Sequence, residues 1–334
     1  MTHILVAAPF SNDLIESIGS VSREISVEQF SLPDGRWPAD RRTDAEIIYT
    51  ISDVPPVELA PNLRWVQSHW TNIESLRQSP IWDSKTIVTT SSGINSTNIS
   101  QHVFSKLLYF ANQAQSWVDL KTEGEWPTTN WERFNPIELR GKTLGILGYG
   151  SLAREIARVA TVFGMHVLAT KRNLKKISEN GFRLEGTGDP DGNLPLRIYP
   201  PEATKSMVSE SDFVVVALPL TDETVGFIDA DLFKAMKSTA YLINASDGRI
   251  VVENDLISAL SKGRIAGAGL DSFTEEPLPA DSALWKMPNV LLSPRVSGLT
   301  NSYDKRVIGL FCENVRRYLV GEPLLNLVNR EQGY

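Results

Sequence analysis

The stretch "TLGILGYGSLAREIA", residues 143–157, decides the fold. An apolar run over 143–148 leads into Gly148-Tyr149-Gly150-Ser151-Leu152-Ala153, a G-x-G-x-x-A pattern. Leu152, Ile156 and Val159 then recur at helical spacing. A strand, a tight turn and a helix in that order are what a dinucleotide pyrophosphate requires. The first glycine permits the turn, and the second lets the backbone approach the phosphates. The small Ala153 lets the helix pack on the strand, and the helix start offers N–H donors and positive potential. The pattern alone has many chance matches. Its βαβ setting makes it a dinucleotide site, with Gly148, Tyr149, Gly150, Ser151 and Leu152 on the cofactor loop.

Outward from that loop, the same alternation continues in both directions. Downstream, "HVLAT" (166–170), "FVVVAL" (213–218), "YLINA" (241–245), "AGAGLDS" (266–272) and "VLLSP" (290–294) are apolar on both faces, as strands sandwiched between helices are. Upstream, "HILVAAP" (3–9), "EIIYTI" (46–51), "LRWVQS" (63–68) and "TIVTTS" (86–91) read as buried strands. A long helix follows, with Asn98 as its cap and Ile99, Val103, Leu107 and Leu108 at helical spacing. The Gly- and Pro-rich "EGTGDPDGNLPLRIYPPEA" reads as a surface loop with one short strand. A last helix, roughly 301–320, ends before Gly321. The expected class is α/β, with two doubly wound parallel-sheet domains.

Bulk properties fit that picture. A chain of 334 residues with 42% hydrophobic content can build two cores. A net charge of −7 argues against nucleic acid as a partner. The single cysteine, Cys312, excludes an internal disulfide and any multi-cysteine metal site, and it falls in the apolar pattern Val307, Leu310, Phe311, Val315 as a packed core thiol. No metal site is expected. No apolar run approaches the roughly 20 residues of a membrane helix. The start, "MTHILVAAPF", is too short and uncharged for a signal peptide, so a cytoplasmic location is the expectation. Trp117, Trp126 and Trp131 stand among polar residues in the poorly periodic segment 114–140, a composition suited to a subunit interface.

The end of the strand after the glycine loop selects the dinucleotide. An acid there binds the ribose 2′-hydroxyl of NAD, whereas cations suit the 2′-phosphate of NADP. The sequence has Lys171 and Arg172 at that point and no acid until Glu179, so NADP is expected over NAD.

The order of motifs resembles the D-2-hydroxyacid dehydrogenase family, and within it the glyoxylate and hydroxypyruvate reductase branch. The likeness spans nearly the whole chain through "ELRGKTLGILGYGSLAREIA" (138–157), "DFVVVALPLTDETVGFID" (212–229), "LINASDG" (242–248), "GRIAGAGLDSFTEEPLP" (263–279) and "NVLLSPRVSG" (289–298). The resemblance implies a flavodoxin-like substrate domain over 1–112 plus 299–334. A Rossmann cofactor domain over 113–298 is inserted in it, and the protein acts as a homodimer on a small-molecule substrate. It also implies that Leu218, Pro219, Thr224, Ala245, Ser246, Asp271 and Gly298 line the cofactor, with Asp271 near the nicotinamide carboxamide.

The family's chemistry uses an arginine for the substrate carboxylate, a histidine as proton donor and a glutamate that holds the histidine. At the matching positions this sequence has Asp247, Arg295 and Glu276; only the glutamate is kept. The segment "VQSHWTNIESL" likewise has Trp70, Thr71, Asn72 and Ile73 where the family runs through small residues with a glycine. None of the four histidines falls at the donor position. His102 and His166 read as ordinary helix and strand residues, while His69 borders the substrate loop. Asp247 would repel a 2-oxocarboxylate, and a guanidinium does not release a proton near neutrality. The resemblance thus implies an oxidoreductase with an atypical site and an altered substrate, cationic or an imine. The alternatives are a cofactor-binding homologue without turnover and an ordinary 2-oxoacid reductase with substituted groups. Arg249 replacing the missing cation, and an Asp247–Arg295 pair closing a disused cleft, also stay open.

Overall fold

The computed structural model describes residues 1–129 and 134–333; Trp131 lies outside them. The chain forms two compact units, one of residues 1–94, 180–183 and 300 onward, the other of residues 95–179 and 184–299. Each holds one parallel sheet between helices, so two parallel-sheet α/β domains are present.

In the first unit the strands are β1 (Thr2–Ala7), β2 (Ile25–Gln29), β3 (Ile47–Thr50), β4 (Trp65–Ser68) and β5 (Ile87–Thr89). Their order, β2-β1-β3-β4-β5, is flavodoxin-like, and every pairing is parallel. The period of two sorts the side chains. Ile4, Val6, Ile47 and Tyr49 pack with Ile18 of α1 (Asn12–Gly19), while Leu5, Ala7, Ile48 and Val66 pack with Leu76 of α2 (Glu74–Arg77) and with Trp37. The final helix of the chain, Tyr303–Val320, joins the first of these cores through Val307, Leu310, Phe311, Cys312 and Val315, and Gly321 closes it at φ 73°. β2 escapes a sequence reading because only Ile25 of its five residues is buried.

The second unit carries β6 (Thr143–Leu147), β7 (His166–Thr170), β8 (Arg197–Tyr199), β9 (Phe213–Val216), β10 (Tyr241–Asn244), β11 (Gly267–Leu270) and β12 (Val290–Leu292). The order is β12-β11-β10-β9-β6-β7-β8, all parallel. One face is covered by α3 (Ser96–Ala111) and α5 (Ser151–Val162), which bury Val103, Leu107, Ile156 and Ala160 against Ile146, Phe213 and Ile243. The other is covered by α6 (Thr204–Glu210), α7 (Ala230–Ala235) and α8 (Glu253–Ser261), through Met207, Phe233 and Leu256 against Val214, Leu242 and Ala268. Each such fully buried side chain contributes roughly 1.5–3 kcal/mol.

Two expectations are corrected here. The helix after β5 begins at Ser96 with Asn95 in the cap position, not Asn98; the Asn98 amide instead donates to Ser297 O and Leu299 O at 2.5 and 2.9 Å. A domain boundary at 112 would leave this helix with the first unit, yet its apolar face completes the core of the second, so the units part at Ile94/Asn95. Within 114–140, α4 (Ala114–Glu123) leaves Trp117 exposed at 54%, and beyond it Trp126 is exposed at 83%.

In the second unit the chain runs outward through β7 and β8, then returns to β9 and runs the other way through β12. The switch point lies between β6 and β9, where ligands of doubly wound sheets bind at the carboxyl ends of the strands. Every residue expected in the cofactor or catalytic site lies beyond one of those carboxyl ends, Glu276 in a bend after β11.

Candidate active site

The glycine loop has the geometry a pyrophosphate needs. Gly148 takes φ 88°, and its N–H donates to Thr170 Oγ1 at 2.9 Å. A Cβ there would stand 2.6 Å from the Ala217 carbonyl oxygen, so only glycine fits. At Gly150, by contrast, a Cβ would meet nothing within 4 Å. That open approach lies directly before the first turn of α5, where the helix end attracts anions. These residues fit a dinucleotide, which when bound supplies the hydride.

The neighbours of the loop depart from the sequence reading in an informative way. Tyr149 does not turn its side chain to a cofactor: it is buried at 2% exposure, and its hydroxyl donates to Asp189 Oδ2 at 2.5 Å. Arg154, equally buried, stacks over the Tyr149 ring at 4.8 Å. It also donates to the carbonyls of Asp189 and Ile177 and pairs with Glu179 at 2.6 Å. The Gly- and Pro-rich segment, a surface loop with one short strand, β8, as its composition indicates, is also clamped to the dinucleotide helix through Asp189. Of the two cations after β7, Lys171 reaches back to Tyr149 O at 3.1 Å, and burial, helped by Arg154, lowers its pKa. Arg172 pairs with Glu223 at 3.0 Å.

Thr224 is likewise used inside the protein. Its hydroxyl donates to Pro219 O at 2.7 Å and accepts from Thr221 N at 2.8 Å, which fixes the turn that carries Leu218 and Pro219. Ser246 donates to Val216 O at 3.1 Å, setting the Ala245–Ser246 backbone beside the end of β9. Gly298 lies against Asn95, 3.1 Å from where its Cβ would project.

Asp247 caps a short turn, Gly248–Ile250, and is closed by Arg249. Its Oδ1 accepts from Arg249 N at 3.0 Å and Nε at 2.9 Å, and Oδ2 accepts from Nη2 at 3.1 Å. Burial works to raise the Asp247 pKa, but the Arg249 hydrogen bonds and the charges of Arg249 and Arg295 outweigh it and hold the carboxyl below its usual range. Asp247 is thus an anion at neutral pH, able to hold a cation and unable to donate a proton. Arg249 meets Asp247 rather than standing in for an arginine at that position, and Arg295 does not pair with it either. Instead Arg295 Nη1 donates to Glu276 Oε2 at 2.7 Å. Arg295 holds a left-handed φ of 55° and donates its backbone N–H to Asp271 O at 2.9 Å. Glu276 Oε1 accepts from Phe273 N at 3.0 Å. A Cβ on Gly248 would lie 2.2 Å from the Phe273 backbone, so that glycine brings the Asp247 and Glu276 turns together.

Asp271, just past β11, is a carboxylate held by three hydrogen bonds. It accepts from Val296 N at 3.1 Å, Ser297 N at 2.9 Å and the Ser293 hydroxyl. His102 Nε2 stands 3.4 Å from Asp271 and 3.0 Å from Ser293 Oγ, and Lys106 Nζ donates to that same Oγ at 2.7 Å. His102, Lys106 and Ser293 were missed from sequence. The signal was present for one of them: Lys106 interrupts the apolar stripe of Val103, Leu107 and Phe110.

In the first unit, His69 is a buried core histidine. Burial, against the opposing charge of Asp304, drops its pKa to about 4, and its Nδ1 lies 2.6 Å from the Tyr49 hydroxyl. Beside it Trp70 is half exposed and donates its indole N–H to Ile51 O at 2.7 Å. His166 opens β7 and is exposed. Among the described residues no group of acidic, histidine or cysteine side chains could hold a metal ion, and no helix is long and apolar enough to cross a membrane.

The comparisons with known proteins agree on the family. The family model described as "D-isomer specific 2-hydroxyacid dehydrogenase, NAD binding domain" matches residues 104–297. A glyoxylate reductase of Korarchaeum cryptofilum is 32% identical over 281 residues, 84% of this chain and 80% of the relative. One from Pyrococcus furiosus is 33% identical over 278 residues, 82% and 78% of the two chains. Among solved structures, a D-isomer specific 2-hydroxyacid dehydrogenase from Xanthobacter autotrophicus in complex with NADPH and MES is 26% identical, with a TM-score of 0.79 over 99% of this chain and 100% of that one. The second unit is accordingly an NAD(P)-binding domain, and the chain belongs to the D-isomer specific 2-hydroxyacid dehydrogenase family.

Proposed function

We propose that the protein is an NADP-preferring oxidoreductase whose reacting group is an imine, taken up in its protonated, cationic form, rather than a 2-oxoacid. The carrying observation is the ionised Asp247, tied to Arg249, at the place the resemblance gives to the carboxylate-binding arginine. An iminium carbon accepts hydride and becomes an amine without any further proton. Such a substrate suits a site where Arg295 stands for the proton donor. Asp247 steadies the cation, and Arg295, half exposed beside Glu276, is placed for an anionic group elsewhere on the molecule. The experiment is NADPH consumption with a panel of imines against glyoxylate, hydroxypyruvate and pyruvate. Turnover with imines alone supports the reading; brisk turnover with the 2-oxoacids overturns it.

A second reading is a cofactor-binding protein without turnover. The closure of both Asp247 and Arg295 in local ion pairs supports it, and NADPH binding with silence across the panel would select it.

The NADP preference rests on Lys171 and Arg172 and on the NADPH-bound relative. Arg172→Gln is expected to weaken NADPH binding about tenfold, the loss of one charge-assisted phosphate contact, and to leave NADH binding nearly unchanged. Fluorescence titration with both cofactors checks this, and an equal loss for the two would remove Arg172 from 2′-phosphate recognition. We propose further a cytoplasmic homodimer; the exposed Trp117 and Trp126 support the association of two copies.

A further inference from the structure

The proposed chemistry leaves Lys106 without a role. It is 2% exposed, on a helix face that otherwise carries apolar side chains into the core. Burying an ammonium is costly unless it is paired and hydrogen-bonded. The surroundings are shaped to accept it. A Cβ on Gly269 would come 2.8 Å from Lys106 Cδ, so a glycine in β11 clears the way for the lysine stem. The Nζ then donates to Leu270 O and to Ser293 Oγ, both at 2.7 Å, and Ser293 passes the contact on to Asp271.

We propose that Lys106 is a positioning residue that sets the field of Asp271, and thereby how strongly the protein prefers oxidised over reduced cofactor. The inference rests on the cofactor reading above. β6 and β7 take the adenosine half of a dinucleotide, and the strands beyond the switch point take the nicotinamide half, which puts Asp271 at the nicotinamide end. The oxidised ring carries a positive charge that the reduced ring lacks. A fixed carboxylate favours the oxidised form, and a buried ammonium behind that carboxylate tempers the preference.

Lys106 also has a titration that makes the role measurable. Burial pushes its pKa down to about 8, against the pull of Asp271. Among the described residues, the other titratable groups on its own helix and on the elements packed against it are His102 and Tyr109 of α3, Tyr241 of β10, Asp119, Lys121 and Glu123 of α4, and Arg154, Glu155 and Arg158 of α5. His102, on its own helix, is lowered first by burial and then by Lys106. From β10, Tyr241 is raised by burial. On α5, Arg154 is engaged with Glu179, and Arg158 with Glu155 at 2.7 Å. Past β12, Arg295 is engaged with Glu276. As pH rises through about 8, Lys106 loses its charge, the Asp271 field is less offset, and the balance moves towards the oxidised cofactor.

The test is equilibrium titration of the whole protein with NADP+ and with NADPH between about pH 6.5 and 9.5, for the wild type and Lys106→Met. Both cofactors carry the same phosphates, so phosphate ionisation cancels in the ratio of their dissociation constants. The wild-type ratio is expected to move about threefold or more towards NADP+ as pH rises, and Lys106→Met to start at the shifted value and stay flat. A purely structural lysine would leave the ratio untouched. Should Lys106→Met not fold, the wild-type pH course decides alone. Binding of both cofactors with a pH-independent ratio overturns the inference and spares the cofactor reading; failure to bind either overturns both.

Discussion

The double change Asp247→Arg with Arg295→His is expected to give the protein measurable reduction of glyoxylate and other 2-oxoacids. At roughly 4 Å and an effective dielectric near 20, two unit charges interact by about 4 kcal/mol, so replacing repulsion of the substrate carboxylate by attraction is a large step. Restoring a positioned acid adds about 10²–10⁴ in rate. The structure sets the costs. Asp247 caps the turn at Arg249, and losing that cap costs about 1 kcal/mol. Arg295 sits at φ 55°, a conformation histidine accepts more readily than most residues. The single Asp247→Arg change should give a smaller gain, since no acid is restored. NADPH consumption checks all three proteins. A folded, cofactor-binding double variant with no gain would mean that these positions are not the ones the family uses.

The two glycines of the dinucleotide loop should respond differently to the same methyl group. Gly148→Ala forces φ 88° on an L-residue, at roughly 1–2 kcal/mol, and drives a Cβ to 2.6 Å from a backbone oxygen. It should lower the melting temperature by several degrees and abolish cofactor binding. Gly150 has an extended φ of −100° and open space in front of it, so Gly150→Ala should melt like the wild type. Its binding should nevertheless fall by about 10² or more, because the methyl occupies the path of the phosphates. Thermal melts and cofactor titrations of the pair separate the two effects. Undiminished binding in Gly150→Ala would place the dinucleotide elsewhere.

The strands most legible in the sequence are those buried on both faces. The apolar runs at 143–148, 166–170, 213–218 and 241–245 announce β6, β7, β9 and β10, whereas β2, buried at one residue in five, carries no such signal. The glycine loop was legible because its steric demands fall on neighbours in sequence. Partners distant in sequence were not. Nothing local to Tyr149 says that Asp189 will take its hydroxyl, or that Arg154 will be sealed under the same segment. The same holds for Asp271: its own motif is readable, but Lys106 and His102 reach it from a helix more than 160 residues earlier in the chain. Resemblance supplied the Asp247, Arg295 and Glu276 positions and set Arg295 against Glu276, and only the structure supplied Arg249 as the partner of Asp247.

The clamp of Arg154 on the segment after β7 also bears on how the nucleotide arrives. Because the guanidinium already holds the Ile177 and Asp189 carbonyls and the Glu179 carboxylate, the wall beside the glycine loop is assembled in advance. Little chain entropy is left to surrender on association, so more of the contact energy survives as affinity, and capture resembles insertion into a finished slot rather than folding around a guest.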